Sequence, residues 1–180
     1  MKLKNVGALC KNAKSIVLYD DGARQWAGEG GALYLLPENL GHMSTATLCT
    51  IFDIPADKAA DFYTRRSDWP APYDAEDDTE EDELIFDNDR RVMFDKRDVV
   101  PLQAPDGKVY FVQAKYLKAL DDSENLHMTL RLTEEGRPYI AVKDGMFLAA
   151  IIMPVRMDGI AGWLGQLCSG AAKVRWEGEE

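Results

Sequence analysis

The chain is poor in the residues on which most protein chemistry depends. Among 180 residues there are three cysteines and two histidines. Cys10, Cys49 and Cys168 are far apart, odd in number and form no Cys-x-x-Cys pair, so a zinc site is not expected and the thiols read as reduced and structural. The sequence has no Gly-x-Ser-x-Gly elbow, phosphate loop, His-Glu-x-x-His or Gly-x-Gly-x-x-Gly. His42 lies in a Gly-rich loop and His127 on the polar side of an alternating segment. Carboxylates are plentiful, yet nothing in their spacing selects two as an acid/base pair. The expectation is a protein that is not an enzyme and needs no cofactor and no metal.

Long apolar runs are missing too. None approaches the ~20 residues of a membrane helix. The opening MKLKNVGALCKNAK lacks the apolar core of a signal peptide. A cytoplasmic protein with no membrane partner is expected. Positive charge is scarce: Lys and Arg number 21 against 31 Asp and Glu, for a net charge of −10. That balance excludes a general nucleic-acid binder and leaves room only for a local basic surface.

What is present is pattern, most clearly in Lys108 to Met157. It reads as a short strand, a helix over Gln113 to Leu120, and three antiparallel strands. On a helical wheel Tyr116, Leu117 and Leu120 share one side while Lys115 and Lys118 oppose them. Leu126, Met128, Leu130 and Leu132 then alternate with His127, Thr129, Arg131 and Thr133, the period of a half-buried strand. Glu135-Gly136 signals a turn, Tyr139 to Val142 a second strand and Asp144-Gly145 a tight hairpin turn. Met146 to Met153 is a nearly continuous apolar strand stopped by Pro154.

A weaker copy opens the chain: a short strand at MKL, a helix over KNVGALCKNA with Val6, Cys10 and Ala13 on one face, and three strands. These are Ser15 to Tyr19, Ala23 to Ala27 beyond an Asp21-Gly22 turn, and Ala32 to Leu36, which ends at Pro37. The helices superpose as Lys4, Val6, Ala8, Leu9 on Lys115, Leu117, Ala119, Leu120. The shared order of elements points to an internal repeat. Between the copies, Ser44 reads as an N-cap for a short helix over Thr45 to Phe52. Ala56 to Arg66 reads as a second helix with Pro55 at its start. Tyr73 to Glu83 is an acidic loop. Leu84 to Phe86 and Val92 to Phe94 read as a hairpin, and Val99 to Leu102 as extended. In the tail, Ile160, Trp163, Leu164 and Leu167 recur at helical spacing.

The second copy resembles the last repeat of the bacterial DNA polymerase III beta sliding clamp. FVQAKYLKAL is similar to the helix that opens a clamp repeat, and IIMPVRM to the Met-Pro-x-Arg-Leu ending of that family. The resemblance covers about half the chain. It implies an α+β fold: one DNA-clamp-like domain of two pseudo-repeated β-α-β-β-β units, with paired helices facing DNA and sheets forming the outside. On that reading residues 1–158 make the domain, with unit one at 1–37, an insert at 38–107 and unit two at 108–158, and residues 159–180 are a tail. Lys4, Lys11, Lys14, Lys115 and Lys118 either solvate the outer faces of two helices or join into one surface for sequence-independent phosphate contact. The resemblance further implies that Met153, Pro154, Val155, Arg156 and Met157 border a groove for short peptides of replication proteins. Expected partners are therefore duplex DNA, replication proteins and further copies of the chain. A ring has about six such domains and this chain has repeat sequence for one, so an assembly of copies would be required. The other reading is a protein–protein interaction module that keeps the fold, forms no ring and binds no DNA.

Overall fold

The structure is a computed structural model that describes residues 2–20, 22–68, 73, 83–86, 90–120 and 125–155. Helix α1 spans Leu3–Ala13 and buries Val6, Gly7, Leu9 and Cys10, while Lys14 closes it in a left-handed conformation. Ala13, expected on the buried face, is exposed. Three antiparallel strands follow: β1 (Ser15–Asp20), β2 (Gln25–Gly28) and β3 (Ala32–Leu35). After a 3-10 turn at Glu38–Leu40 comes α2 (Thr45–Ile51), where the Thr47 amide donates to the Ser44 hydroxyl at 3.1 Å. The predicted cap is thus in place, satisfying one of the helix's open amides.

The insert departs from expectation in two places. Only Ala56–Ala59 is helical (α3), and Tyr63–Asp68 forms β4, paired parallel to β1. The β1 edge supplies a ladder for it, and the Tyr63 amide donates to the Lys14 carbonyl at 3.0 Å to start the register. Tertiary pairing therefore overrides a weak helical pattern, as strand preference commonly depends on neighbours. The predicted hairpin between Leu84–Phe86 and Val92–Phe94 is absent. Instead β5 (Ile85–Phe86) and β6 (Val92–Phe94) lie in succession along one edge of β7 (Arg97–Gln103), and β8 (Val109–Gln113) lines the other. The turn is at Asp95-Lys96, both with positive φ (45° and 61°), as a tight two-residue hairpin requires. Pro101, which has no amide hydrogen, falls in the gap that β5 and β6 leave along β7.

The elements of the second copy form in the expected order, but the faces expected for Leu126 to Thr133 do not: Thr129, Arg131 and Thr133 are buried, where both faces of the sheet are covered, and Leu132 is 64 % exposed. β8 leads into α4 (Ala114–Leu117), a 3-10 turn over Lys118–Leu120 continues it, and β9 (Leu126–Leu132), β10 (Pro138–Asp144) and β11 (Phe147–Ile152) follow. The first copy lacks a leading strand: where MKL was expected to be extended, α1 already begins at Leu3, and the Lys2 amide donates to the Ala119 carbonyl at 2.8 Å. The large sheet has the order β4-β1-β2-β3-β11-β10-β9. Strands β1-β2-β3 and β11-β10-β9 are mirrored about the antiparallel β3–β11 seam, where Leu33 faces Ile151. The architecture is mixed, two sheets with few short helices, and is compatible with the α+β class.

Both faces of the large sheet are apolar. One packs Ile16, Leu18, Tyr34, Ile140 and Ile152 against the helices and against Val100, Leu102 and Val112 of the small sheet. The other gathers Val17, Trp26, Leu33, Tyr139, Leu148 and Ile151. Tyr73 crosses that second face edge-on to Tyr19 of β1 at 6.3 Å and to Tyr139 of β10 at 5.2 Å.

The two copies meet closely at Gly31. A Cβ there would lie 2.1 Å from the Tyr116 hydroxyl oxygen. Gly31→Ala is expected to lower the unfolding free energy by about 1–3 kcal/mol, the usual cost of overpacking. Urea denaturation reads this as a lower midpoint at unchanged slope.

Candidate nucleic-acid interface

α1 and α4 with its 3-10 extension lie on the same face of the large sheet and touch. Besides the Lys2–Ala119 backbone bond, the Asn5 Nδ2 donates to the Lys118 carbonyl at 2.8 Å. The amphipathic pattern predicts this: Val6 and Leu9 point to the sheet on one helix, and Leu117 and Leu120 on the other. Lys4, Lys11, Lys14, Lys115 and Lys118 are consequently all exposed. Lys4, Lys11, Lys14 and Lys118 make no ion pair with a described residue.

Lys115 differs from the other four. Its Nζ lies 3.2 Å from Glu29 Oε1 and 4.7 Å from the centre of the Tyr116 ring. Glu29, on the β2–β3 connection, also accepts the Tyr116 hydroxyl at 2.6 Å, and Gln113 Nε2 donates to that hydroxyl at 3.4 Å. Burial first, and then the Glu29 carboxylate, push the Tyr116 phenol upward, so it is a neutral donor near pH 7. Behind it the Tyr34 hydroxyl donates to the Tyr116 carbonyl at 2.8 Å. This partly buried network joins the two copies and pairs one of the five lysines with a carboxylate. It was not foreseen, because Glu29 and Lys115 are 86 residues apart and only folding brings them together. Nearby, burial, followed by Glu29 and Cys49, pushes the Cys10 thiol up to about 12. A thiol held protonated in this way is a weak nucleophile.

The expected partner strip has a different character from an open groove. Met153 donates its amide to the Gly31 carbonyl at 2.9 Å, and Val155 donates its amide to the Phe111 carbonyl at 2.7 Å. Met153 packs at the margin of the second-face cluster, while Val155 packs on Val99 and Phe111. Met153, Pro154 and Val155 are half-buried and stitch the β2–β3 connection to β8. Arg156 and Met157 lie outside the described residues, as do most of the acidic loop and the whole 159–180 tail. The flanks of the acidic loop are described. Tyr73 is on the second face, away from the helices, and Glu83 bridges Thr129 on β9 and meets His127 Nδ1 at 2.9 Å.

A second polar cluster was not foreseen. Asp20, buried at the end of β1, accepts from the Gly22 amide at 3.0 Å and from Gln25 Nε2 at 2.8 Å. Arg66 Nη2 at 3.3 Å and His42 Nδ1 at 3.4 Å complete its surroundings. Gln25 also clamps the Met43 backbone, accepting its amide at 2.6 Å and donating to its carbonyl at 3.0 Å. The clamp shapes a cleft of about 170 Å³ walled by Arg24, Pro37, Glu38 and His42. Among the described residues no hydroxyl or thiol side chain lines it.

The Gly22 amide, then Gln25 and His42, hold the Asp20 carboxyl below its ordinary range against an opposing effect of burial. Its ionised form therefore stabilises the fold above the unfolded value of about 3.9, and that contribution is lost as pH falls through the lower folded value. Asp20→Ala is expected to cost about 2 kcal/mol at pH 7. The gap between variant and parent should shrink below about pH 4, which urea titrations from pH 7 to pH 3 measure.

No protein-family model, curated protein or solved structure matches this chain.

Proposed function

We propose that the protein is a non-enzymatic, sliding-clamp-like scaffold associated with DNA replication. It contacts duplex phosphates without sequence specificity through Lys4, Lys11, Lys14 and Lys118. The observation that carries this reading is the pair of adjoining helices on one face of a mirrored sheet, with four exposed lysines and no described carboxylate paired to any of them. Ammonium groups on flexible stems suit contact with a phosphate backbone and carry no base readout. The net charge of −10 does not by itself oppose this, because the local distribution of charge decides and the net charge does not. The second face departs from the clamp pattern, in which sheets form the outside, since Trp26, Leu33 and Ile151 are buried there. Partner peptides would approach the half-buried Met153–Val155 strip and its continuation through Arg156 and Met157.

A second reading has its own support. The Glu29–Lys115 pair removes one of the five expected cations, and the net charge of the chain is −10. Both features favour a protein–protein interaction module that keeps the fold, forms no ring and binds no DNA.

Two measurements separate these readings. Binding to duplex DNA across a salt series should fall with a log–log slope of about −3 to −4 if four phosphates are contacted, and Lys11→Ala with Lys14→Ala should reduce that slope by about 2. Binding that is missing at low salt, or indifferent to salt, rejects the DNA reading. Solution mass addresses the ring: an assembly near about six copies is expected for encirclement, whereas a monomer or simple dimer supports the interaction module.

A further inference from the structure

The loop from Pro37 to His42 is exposed along its whole length, yet a buried network holds it in one place. Gln25, 6 % exposed, grips the Met43 backbone through both its amide and its carbonyl, at 2.6 and 3.0 Å. Asp20, 8 % exposed, fixes Gln25 in turn and brings in His42 of the loop and Arg66 of β4. A buried carboxylate is costly unless its partners are well placed, so more is fixed here than a short surface loop requires. The Leu36 amide donates to the Gln25 carbonyl at 2.7 Å and closes the floor, while Gly41 turns the loop back at a φ of 65°. Between floor and loop the network holds open the cleft of about 170 Å³.

We infer that this cleft is a binding site for a small zwitterion of the free amino-acid class, its carboxylate toward Arg24 and His42 Nε2 and its ammonium toward Glu38. Size sets the first limit. Sites for cofactors and drug-sized ligands run to roughly 300–1,000 Å³. The cleft holds the volume of about six waters at ~30 Å³ each, which suits an amino acid with a short side chain. Charge sets the second. The lining carries both signs: Arg24 comes from the β1–β2 side, and Glu38 and His42 from the loop. A guanidinium presents planar paired donors that match a carboxylate. His42 turns Nδ1 to Asp20 at 3.4 Å, which leaves Nε2 for a ligand. No described residue pairs with the Glu38 carboxylate. A plain anion would leave Glu38 opposed, and a plain cation would face Arg24, whereas a zwitterion answers both. Ala23, Leu36 and Pro37 line the remainder and suit a short aliphatic side chain. Because the walls are already fixed, little ordering is left to oppose binding. The site uses none of the five helix lysines, and the inference stands whether or not DNA is bound.

The test titrates the full chain with glycine, L-serine and L-valine, each alone, and follows backbone amides by ¹H–¹⁵N spectra. At least one should give saturable shifts at Ala23, Gln25, Gly41 and His42, with a dissociation constant of about 1 mM or tighter. Isovalerate, which lacks the ammonium, and isobutylamine, which lacks the carboxylate, should each bind about tenfold or more weakly than the best of the three. Arg24→Gln and Glu38→Gln should each weaken that amino acid by a similar factor. No saturable shift with any of the three at about 10 mM overturns the inference. Isovalerate or isobutylamine binding as tightly as the amino acid also overturns it, in favour of a simple ion site. Saturable shifts confined to other parts of the chain, or binding indifferent to both substitutions, reject this cleft as the site. The ligand comparison needs no variant, so a substitution that fails to fold leaves the test intact.

Discussion

The β3–β11 seam is the constraint from which the rest of the structure follows. Each copy offers three strands and one short helix, too little to bury an apolar face alone. Joining them edge to edge through Tyr34, Leu33 and Ala32 against Ala150, Ile151 and Ile152 makes one continuous sheet. The mirrored order then places both helices on the same side, where Val6 and Leu9 meet the same core as Leu117 and Leu120. Side chains lock the seam from that side: Tyr34 holds the Tyr116 backbone, Glu29 holds the Tyr116 hydroxyl, and Gly31 lets that hydroxyl approach. Buried polar networks of this kind rigidify a structure when every member has a partner.

The same seam distributes charge. Holding the helices together concentrates exposed lysines on one side of an acidic protein. Glu29 reaches Lys115 because the β2–β3 connection ends beside α4, so one ammonium serves the joint between the copies instead of the surface. The acidic loop is tied down at Tyr73 and at Glu83, on the second face and on the far edge strand.

Elements with strong local signals were legible in the sequence. The strand from Leu126 to Leu132, the turn residues at Gly136 and Gly145, the Ser44 cap and the apolar run into Pro154 each encode their structure within a few residues, and each formed; the faces of that strand did not follow its alternation, since Thr129, Arg131 and Thr133 are buried and Leu132 is exposed. The errors were in segments whose partner is distant. Tyr63–Asp68 is a strand because β1 has an open edge, and β5 and β6 pair with β7 because Asp95 and Lys96 accept positive φ without the glycine that would have announced the turn. For the candidate site, the five lysines and their helical faces were legible, whereas the Glu29 pairing and the Asp20 cluster were not.

The sequence by itself determined the periods, the Ser44 cap and the order of a helix followed by three strands at each end of the chain, because these arise from contacts among residues a few positions apart. The tertiary structure alone decided that the copies join at β3 and β11, that both faces of the sheet are buried, and that Lys115 is the lysine that pairs with Glu29. Those outcomes depend on backbone edges and carboxylates that meet only when the chain closes on itself, and no local pattern carries that information.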